Sequence, residues 1–198
     1  MNQIAYTVVS NIEDTLQIKT HATGHVYMIY KGVVLLGYTD KHYNIFSIGG
    51  FVNENNNETL FDTIVRECQE ETLDCIIQKD DLLNVLINNS VGITRKSPKG
   101  QHYTFFCDVS SLDLDLKAMQ REFLIRRSNP NLTKDQQETD RLVGVELKMI
   151  KTSIEQSTRL VTDVDGTEYT IRDINEPAYK WLFSVINEDF VRAKLCID

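Results

Sequence analysis

The six residues from Arg66 to Glu71, R-E-C-Q-E-E, limit what this chain can fold into more than any other stretch. They place three carboxylates and a guanidinium within about one and a half turns of a predicted helix. Like charges three or four residues apart destabilise a helix by about 0.2–0.5 kcal/mol per pair. Something must offset that repulsion, and a divalent cation is the obvious candidate.

The helix that carries this stretch is predicted from about Glu58 to Thr72. At roughly 100° per residue, Glu67, Glu70 and Glu71 fall within about 100° of arc. The apolar residues of the same helix occupy an arc centred roughly 120° away: Phe61, Ile64, Val65 and Cys68. We therefore expect the three carboxylates to stand together, away from the buried face. Oxygen ligands at this spacing suit Mg²⁺ or Mn²⁺, and the alternative is a solvated acidic face.

Length and composition indicate an ordinary globular protein. The chain has 198 residues, 41% of them hydrophobic, and a formal net charge of -8. This length suits a single domain over residues 1–198, with an inserted segment at about 111–140. The acidic balance argues against broad, non-specific nucleic-acid binding, which depends on Lys and Arg neutralising phosphates.

The cysteines and the absence of targeting signals suggest an intracellular location. None of the four cysteines forms a C-x-x-C pair, so buried free thiols in a reducing compartment are expected. The first residues lack a basic region followed by an apolar run, and no run of 18 apolar residues occurs. We expect a soluble cytoplasmic protein without membrane association. The oligomeric state is not predicted.

The order of elements predicts a mixed α/β or α+β domain. Two β-rich runs, His25–Lys31 and Val33–Tyr38, meet at Lys31-Gly32 and favour a hairpin. The short strand "NIFSIGG" ends in paired glycines and precedes the carboxylate helix. "LLNVLINNSVGIT" and "QHYTFFCDV" are predicted to be paired strands, joined by the loop "RKSPKG".

The second half of the chain alternates helices and strands. "LKAMQREFLIRRS" is predicted to be helical and "RLVGVELKMI" to be a strand. "VDGTEYTIRD" indicates a turn into a further strand. "EPAYKWLFSVINEDFV" is predicted to be one final helix, with Pro177 in its first turn, where the missing N–H costs nothing.

At this point the chain resembles the Nudix hydrolases, whose signature is G-x5-E-x7-R-E-U-x-E-E-x-G-U, with U a bulky aliphatic residue. Glu58 and the stretch Arg66–Glu71 match the central part of the signature in register. The likeness extends over most of residues 25–190. It implies a single Nudix hydrolase domain with a mixed β-sheet sandwiched between helices.

The sequence departs from this signature at both ends. Val52 stands at the leading glycine position, and the nearest glycine, Gly50, lies two residues earlier. Leu73 stands at the trailing glycine position, followed by Asp74 instead of an aliphatic residue. Because leucine does not take positive φ cheaply, we expect the helix to end in a different way.

The resemblance implies roles for the acidic residues. Glu67 and Glu71 are implied as the main metal ligands, and Glu70 as a further ligand or as the base that activates water. Arg66 is implied as the partner that orients the carboxylates, and Glu58 as a support near the start of the helix.

The resemblance implies two further metal-site contributions, and each has two candidate residues. A backbone carbonyl of Gly49 or Gly50 is implied as another metal ligand. One more acid is expected from a loop before a late strand, and either Glu138 or Asp140 fits that place. The implied cofactor is Mg²⁺ or Mn²⁺. A surface acid remains the alternative for either residue alone.

The resemblance implies a class of substrate, but it does not identify the substrate itself. The family hydrolyses nucleoside diphosphates linked to another group X, such as ADP-ribose, dinucleoside polyphosphates, nucleotide sugars or nucleoside triphosphates. Two basic segments are candidates for binding substrate phosphates, or are simply solvated: Arg95, Lys96 and Lys99 in one, and Arg121, Arg126 and Arg127 in the other.

Two alternative functions remain open. The irregular signature is similar to that of some viral mRNA-decapping proteins, which favours capped RNA as a second substrate class. A catalytically silent nucleotide-binding module is the other alternative. It would be expected to have lost acids from R-E-x-x-E-E, whereas all of them are present here.

Overall fold

A mixed β-sheet forms the centre of the computed structural model, which describes residues 6–98, 100–173 and 175–196. The ten strands within these ranges are β1 Thr7–Val8, β2 Ala22–Tyr30, β3 Val33–Thr39, β4 Asn44–Phe46, β5 Ile48–Phe51, β6 Ser90–Ser97, β7 Gly100–Asp108, β8 Arg141–Glu146, β9 Leu160–Thr162 and β10 Glu168–Ile171. The α-helices are α1 Ile12–Leu16, α2 Leu60–Thr72, α3 Lys79–Asn88, α4 Leu116–Arg127, α5 Leu147–Glu155, α6 Glu176–Val185 and α7 Asp189–Leu195. Single 3₁₀ turns occur at Glu54–Asn56 and Asp135–Gln137.

Strand β2 organises the sheet because three strands pair with it. The strands follow the order β1-β6-β7-β2-β3-β4-β10-β9, with β5 paired to β2 and β8 paired to β3. The β2–β7 and β4–β10 pairs are parallel, and the other pairs are antiparallel. The first half of β2 contacts β5 and its second half contacts β3. This division places β5, with its glycines, beside the carboxylate helix α2.

Helices cover both faces of the sheet, as predicted. Val26 and Met28 of β2 pack into one core cluster, which contains side chains of α1, α2, α3 and α4. Tyr27 and Ile29 of β2 point the other way, into a cluster that contains side chains of α5, α6 and α7. This alternation follows from the two-residue period of a strand, and a strand buried on both faces is apolar throughout. No helix in the described ranges combines the length and apolarity that crossing a bilayer requires.

Several local predictions are confirmed. Strands β2 and β3 form the expected hairpin, with Lys31 and Gly32 at φ of 48° and 79° in its two-residue turn. Helix α2 begins at Leu60, two residues later than predicted. Thr59 caps it through a capping box with Asp62.

Other predictions are wrong. The residues predicted as the start of a strand from Leu82 form helix α3, because Leu82, Val85 and Leu86 are spaced to bury one helical face. The strand predicted to run through "RLVGVELKMI" ends at Glu146 and gives way to α5. The final helix is two helices, α6 and α7. The Arg95–Lys96 pair lies in β6 instead of a loop, and Lys99 lies outside the described residues.

We predict that Gly49→Ala destabilises the protein strongly. A Cβ atom at Gly49 would lie 2.1 Å from the Gly24 carbonyl oxygen of β2, and Gly49 has a φ of 149°. The β2–β5 pair would have to separate, and we expect a loss of about 3 kcal/mol or more in the free energy of unfolding. Urea denaturation measures it.

Gly166→Ala is the matched control. Gly166 also has positive φ, at 88°, but a Cβ there would meet nothing within 4 Å. Gly166→Ala should lower the free energy of unfolding by only about 1–2 kcal/mol, which is the cost of the backbone conformation alone. Equal losses for the two variants would contradict a tight contact between β5 and β2.

Candidate active site

A cavity of about 500 Å³ opens where β5, α2 and the turn at Asp135–Gln137 meet. The acidic residues that line it are Glu67, Glu70, Glu71, Asp135 and Glu138. The sheet contributes polar, aromatic and glycine residues: Thr23, His25, Phe46, Ser47, Gly49, Gly50, Phe51 and His102. Arg66, Arg172 and Asn175 complete the lining. This volume is in the range of small-molecule sites.

The Arg66 guanidinium is the centre of the hydrogen-bond network. Its Nε donates to Glu58 Oε1 at 2.9 Å, and its Nη1 donates to Glu67 Oε1 at 2.7 Å and to Glu70 Oε2 at 2.9 Å. Its Nη2 donates to the Phe51 carbonyl at 3.2 Å. Partial burial opposes the charge, but these carboxylates hold the pKa of Arg66 above its ordinary value. Arg66 is therefore placed to orient the carboxylates.

Glu58 connects the loop before α2 to the helix itself. Its Oε2 accepts hydrogen bonds from the Asn53 backbone N–H and the Thr63 hydroxyl, both at 2.9 Å. Burial works to raise the pKa of Glu58, but the bonds from Arg66, Asn53 and Thr63 outweigh it and lower the pKa. Glu58 thus stays ionised and links the loop at Asn53 to the helix at Thr63 and Arg66; its supporting role in a reaction stays a prediction.

Glu71 corrects the expectation that all three carboxylates face away from the buried side. Its side chain is buried, with 6% relative exposure, and accepts the Gly49 N–H at 2.8 Å. Burial raises the pKa of Glu71 well above its usual range, and the charge of Glu67 raises it further. The reason is that α2 packs against β5, so part of the carboxylate arc faces the sheet.

The paired glycines allow this close approach of helix and strand. A Cβ atom at Gly50 would lie 2.0 Å from Glu67 Oε1. Strand β5 therefore contacts Glu71 through the Gly49 N–H and approaches Glu67 at Gly50. The role of either carbonyl as a metal ligand stays a prediction, but both glycines line the cavity.

The two candidates for the additional acid have different surroundings. Glu138 lines the cavity, and its negative charge acts on Glu67 and Glu71. Asp140 accepts hydrogen bonds from the Asp40 N–H at 2.6 Å and from Arg127 at 3.3 Å. Asp140 thus joins two loops, and the structure favours Glu138 as the acid beside the cavity.

The arginines predicted to bind substrate on α4 lie outside the cavity. Arg126 Nη1 donates to the Leu73 carbonyl at 2.7 Å, and its Nε donates to Glu122 at 2.8 Å. Arg127 Nε donates to the Thr139 carbonyl at 2.9 Å. Both guanidiniums are engaged with other parts of the protein, and substrate binding by them stays untested.

The other predicted basic pair lies closer to the site. Arg95 lines a small recess that shares His25, Ser47 and His102 with the main cavity, and it stands 6.0 Å from the ring centroid of Tyr6. Lys96 is exposed on the next position of β6. Arg95 is thus adjacent to the cavity.

Sequence reasoning missed the polar residues of the sheet wall. His102 pairs through Nδ1 with the Thr23 hydroxyl and through Nε2 with the Ser97 hydroxyl, both at 2.7 Å. His25 Nδ1 lies 3.3 Å from the Ser47 hydroxyl. Single polar residues inside apolar strands were the available signal, because a polar group buried in a sheet needs a partner. Arg172 and Phe51 carried no local signal.

The carboxylates fit a divalent cation. In the described part of the chain, no three Asp, Glu, His or Cys side chains are already arranged around one point. Arg66 holds Glu67 and Glu70 toward itself, which accounts for this. Buried Glu71 nevertheless lies beside Glu67 with only the Gly49 N–H as its hydrogen-bond donor among described residues. A buried carboxylate that lacks a cation, next to a second carboxylate, suits a hard cation with oxygen ligands.

Comparisons with known proteins give matches among solved structures but none from sequence. No family model matches the sequence, and no curated protein matches it. A crystal structure described as a hydrolase of the NUDIX family from Clostridium perfringens overlaps 84% of this chain and 98% of its own chain. The identity is 17% and the TM-score is 0.41. Values this low do not assign an activity, so any assignment depends on the side chains of the cavity.

Helix α2 ends through a left-handed Leu73, contrary to the expectation of a different exit. Leu73 has φ of 51° and ψ of 41°, and Asp74 follows with φ of 57°. A left-handed residue other than glycine costs about 1–2 kcal/mol. The Leu73 side chain is buried in the core, and its carbonyl accepts the bond from Arg126. Packing and this long-range bond offset the cost.

We predict that Arg126→Gln lowers the free energy of unfolding by about 1 kcal/mol, because the Leu73 carbonyl loses a charge-assisted hydrogen bond at a partly exposed site. Arg121→Gln is the control, since Arg121 is exposed on the same helix and its substitution removes the same charge. It should change stability by less than about 0.5 kcal/mol. Similar effects of both substitutions in urea denaturation would refute a specific role for Arg126.

We predict an acid-sensitive component of stability from His25. Burial, and then the charges of His102, Arg172 and Arg95, lower the pKa of His25 from 6.5 to about 4. Between these values the unfolded chain binds a proton that the folded protein does not, so stability falls as the pH falls. The full loss is roughly 3 kcal/mol.

The measurement is the free energy of unfolding between pH 7 and pH 4. His25→Gln should remove this component, leaving a shallower decline. The exposed His42 provides the control, because His42→Gln leaves the His25 imidazole in place. A wild-type decline that is unchanged in His25→Gln would exclude His25 as its source.

Proposed function

We propose that this chain is a Mg²⁺- or Mn²⁺-dependent hydrolase of the Nudix type that cleaves the diphosphate of a nucleoside diphosphate linked to a group X. The observation that supports it is the position of Glu71. This carboxylate is buried beside Glu67 and against Gly49, with no cationic side chain paired to it among described residues. The cavity therefore favours a cation from solution.

Glu67 and Glu71 would hold the cation, with Glu70 and Glu138 at the same cavity. A bound Mg²⁺ or Mn²⁺ would neutralise phosphate charge and lower the pKa of a water molecule. Arg66 limits the movement of Glu67 and Glu70, so the carboxylates are oriented before substrate binds. In the reaction, water adds to one phosphorus, the P–O bond of the anhydride breaks, and the other phosphate leaves as a phosphorylated product.

Glu138 is the better placed of the two candidate bases. One carboxylate oxygen of Glu70 already accepts a hydrogen bond from Arg66 Nη1 at 2.9 Å. Glu138 lines the cavity from an exposed position, and its carboxylate has no hydrogen bond or ion pair with a described residue. A carboxylate that is free to take the proton of water is what general-base catalysis requires.

Phe51 supports a nucleoside as one part of the substrate. Its ring is 59% exposed at the end of β5, although most large apolar side chains of the chain are buried. It lines the cavity, and Arg66 holds its carbonyl. A nucleobase stacked on an exposed aromatic ring gains about 1–3 kcal/mol.

A small nucleotide is favoured over capped RNA. Arg126 and Arg127 are engaged within the protein, which leaves Arg95, Lys96 and Arg121 among the described residues of the two basic segments. The net charge of -8 gives little general attraction for a polyanion. Capped RNA is therefore included in the assay as the competing substrate.

The proposal is tested by product analysis with Mg²⁺ or Mn²⁺, offering ADP-ribose, diadenosine polyphosphates, nucleoside triphosphates, nucleotide sugars and capped RNA. We predict metal-dependent cleavage of a diphosphate, and a loss of about 100-fold or more in Glu71→Gln. Glu155→Gln, at an exposed position of α5, should keep full activity. Cleavage by Glu71→Gln at the wild-type rate would refute the assigned metal site.

Thermal denaturation provides a readout that does not require turnover. Millimolar Mg²⁺ or Mn²⁺ should raise the melting temperature of the wild type, because a ligand of the native state stabilises it. Glu71→Gln should lose this rise yet remain folded, since glutamine still accepts the Gly49 N–H and no longer repels Glu67. Equal metal-induced shifts in both proteins would place the ion elsewhere.

A further inference from the structure

Arg172 is the second of the two arginines that line the cavity within the described residues, and it differs from Arg66 in its surroundings. Arg66 is bound to three carboxylates. The Arg172 side chain is exposed and forms no hydrogen bond or ion pair with another described residue, although five carboxylates line the same cavity. Its positive charge nevertheless lowers the pKa of His25, a half-buried residue of the sheet wall. Arg172 therefore lines the cavity with a guanidinium that no described residue engages.

The backbone of Arg172 is fixed to the strand that leads into the site. Its N–H donates to the Ile45 carbonyl at 3.1 Å, continuing the parallel pairing of β10 with β4. Its carbonyl accepts the Asn175 N–H at 2.9 Å, which closes the turn into α6. Arg172 is thus positioned by the sheet, independently of the helix that carries the carboxylates.

Three chemically different groups follow one another along β4 and β5. The Arg172 N–H is hydrogen-bonded to Ile45 of β4. The carboxylates of α2 approach β5 at Gly49 and Gly50, and the exposed ring of Phe51 belongs to the next residue. A strand rises about 3.3 Å per residue, so Ile45 lies at most about 13 Å from Gly49. A nucleotide bound with its base on Phe51 and its diphosphate at the carboxylates would direct its remaining group toward Arg172.

From this order we infer that Arg172 binds an anionic group on X, so that the substrate carries negative charge beyond the diphosphate that is cleaved. This inference deepens the proposed function and rests on it. A guanidinium binds a phosphate through two parallel charge-assisted hydrogen bonds. An anionic X would otherwise face five carboxylates, and Arg172 supplies the opposite charge at that end. The substrate class is a nucleotide whose X is a phosphate or bears one.

The test compares substrates that share adenosine diphosphate and differ in the charge of X. ATP and diadenosine tetraphosphate have an anionic X, and ADP-glucose has a neutral X. We expect the wild type to cleave at least one of the anionic substrates with a higher kcat/KM than ADP-glucose. Arg172→Gln should lower kcat/KM for that substrate by about 100-fold and change the value for ADP-glucose by less than about twofold.

Two further variants separate recognition from general effects. Arg172→Lys should recover part of the loss, because an ammonium keeps the charge but not the two-point contact. Arg192→Gln removes an equivalent charge from an exposed position on α7 that does not line the cavity, and it should match the wild type. Melting temperatures of all variants should agree within a few degrees.

Each contrary outcome has a distinct meaning. Equal losses of Arg172→Gln on anionic and neutral X would place Arg172 on the shared nucleotide and overturn the inference. Unchanged activity on every substrate, or a wild type that prefers ADP-glucose, would overturn it as well. In these cases metal-dependent hydrolysis persists and the proposed function stands. If the wild type cleaves no diphosphate with either metal, the proposed function fails and the inference fails with it.

Discussion

The hydrogen bonds of the Arg66 guanidinium hold the candidate site together. One positive charge contacts Glu58 at the start of the helix, Glu67 and Glu70 on its next turns, and the backbone of β5 at Phe51. It offsets the repulsion among the three glutamates and links the helix, the preceding loop and the strand. Arg66 does not reach every acid of the cavity. Among the described residues, buried Glu71 and exposed Glu138 have no cationic side chain paired to them, and this is the feature on which the proposed cation site rests.

The elements nearest the carboxylates could be predicted from sequence because they depend on local rules. The hairpin at Lys31-Gly32 requires a two-residue turn, and α2 follows from the period of its apolar residues and a capping threonine. The interpretation of Leu82–Leu86 as a strand was wrong because a short apolar run satisfies both periods. Glu71 was assigned to the open face because the arc of a single helix does not reveal what packs against it.

The remaining site residues could not be predicted because pairing across the sheet brings them together. His25, His102 and Arg172 are distant in sequence and lie on three different strands or their ends. The contacts of Arg126 and Arg127 were equally hidden, since both donate to carbonyls far from α4 in the chain. A basic pair at a helix terminus has the same composition whether it meets solvent, substrate or protein. Only the positions of Leu73 and Thr139 distinguish these cases.

The neighbouring arginines of α4 reach two parts of the site at once. Arg126 binds the residue that ends the carboxylate helix, and Arg127 binds the carbonyl next to Glu138. The segment between residues 111 and 140 thus supports the end of α2 through Arg126, and through Arg127 it holds the loop that carries Glu138. Its replacement by a short loop would remove Glu138 itself together with the support of α2.

The left-handed Leu73 shows that contacts distant in sequence are able to stabilise the end of a helix. A glycine at the end of a helix adopts the left-handed conformation without help from other residues. Proteins that end a helix in this way therefore share a glycine at that position. Here the left-handed conformation of Leu73 is stabilised by core packing and by the guanidinium of Arg126, which lies 53 residues away in sequence. A helix end stabilised in this way does not require glycine, so the residue at that position alone does not reveal the left-handed conformation.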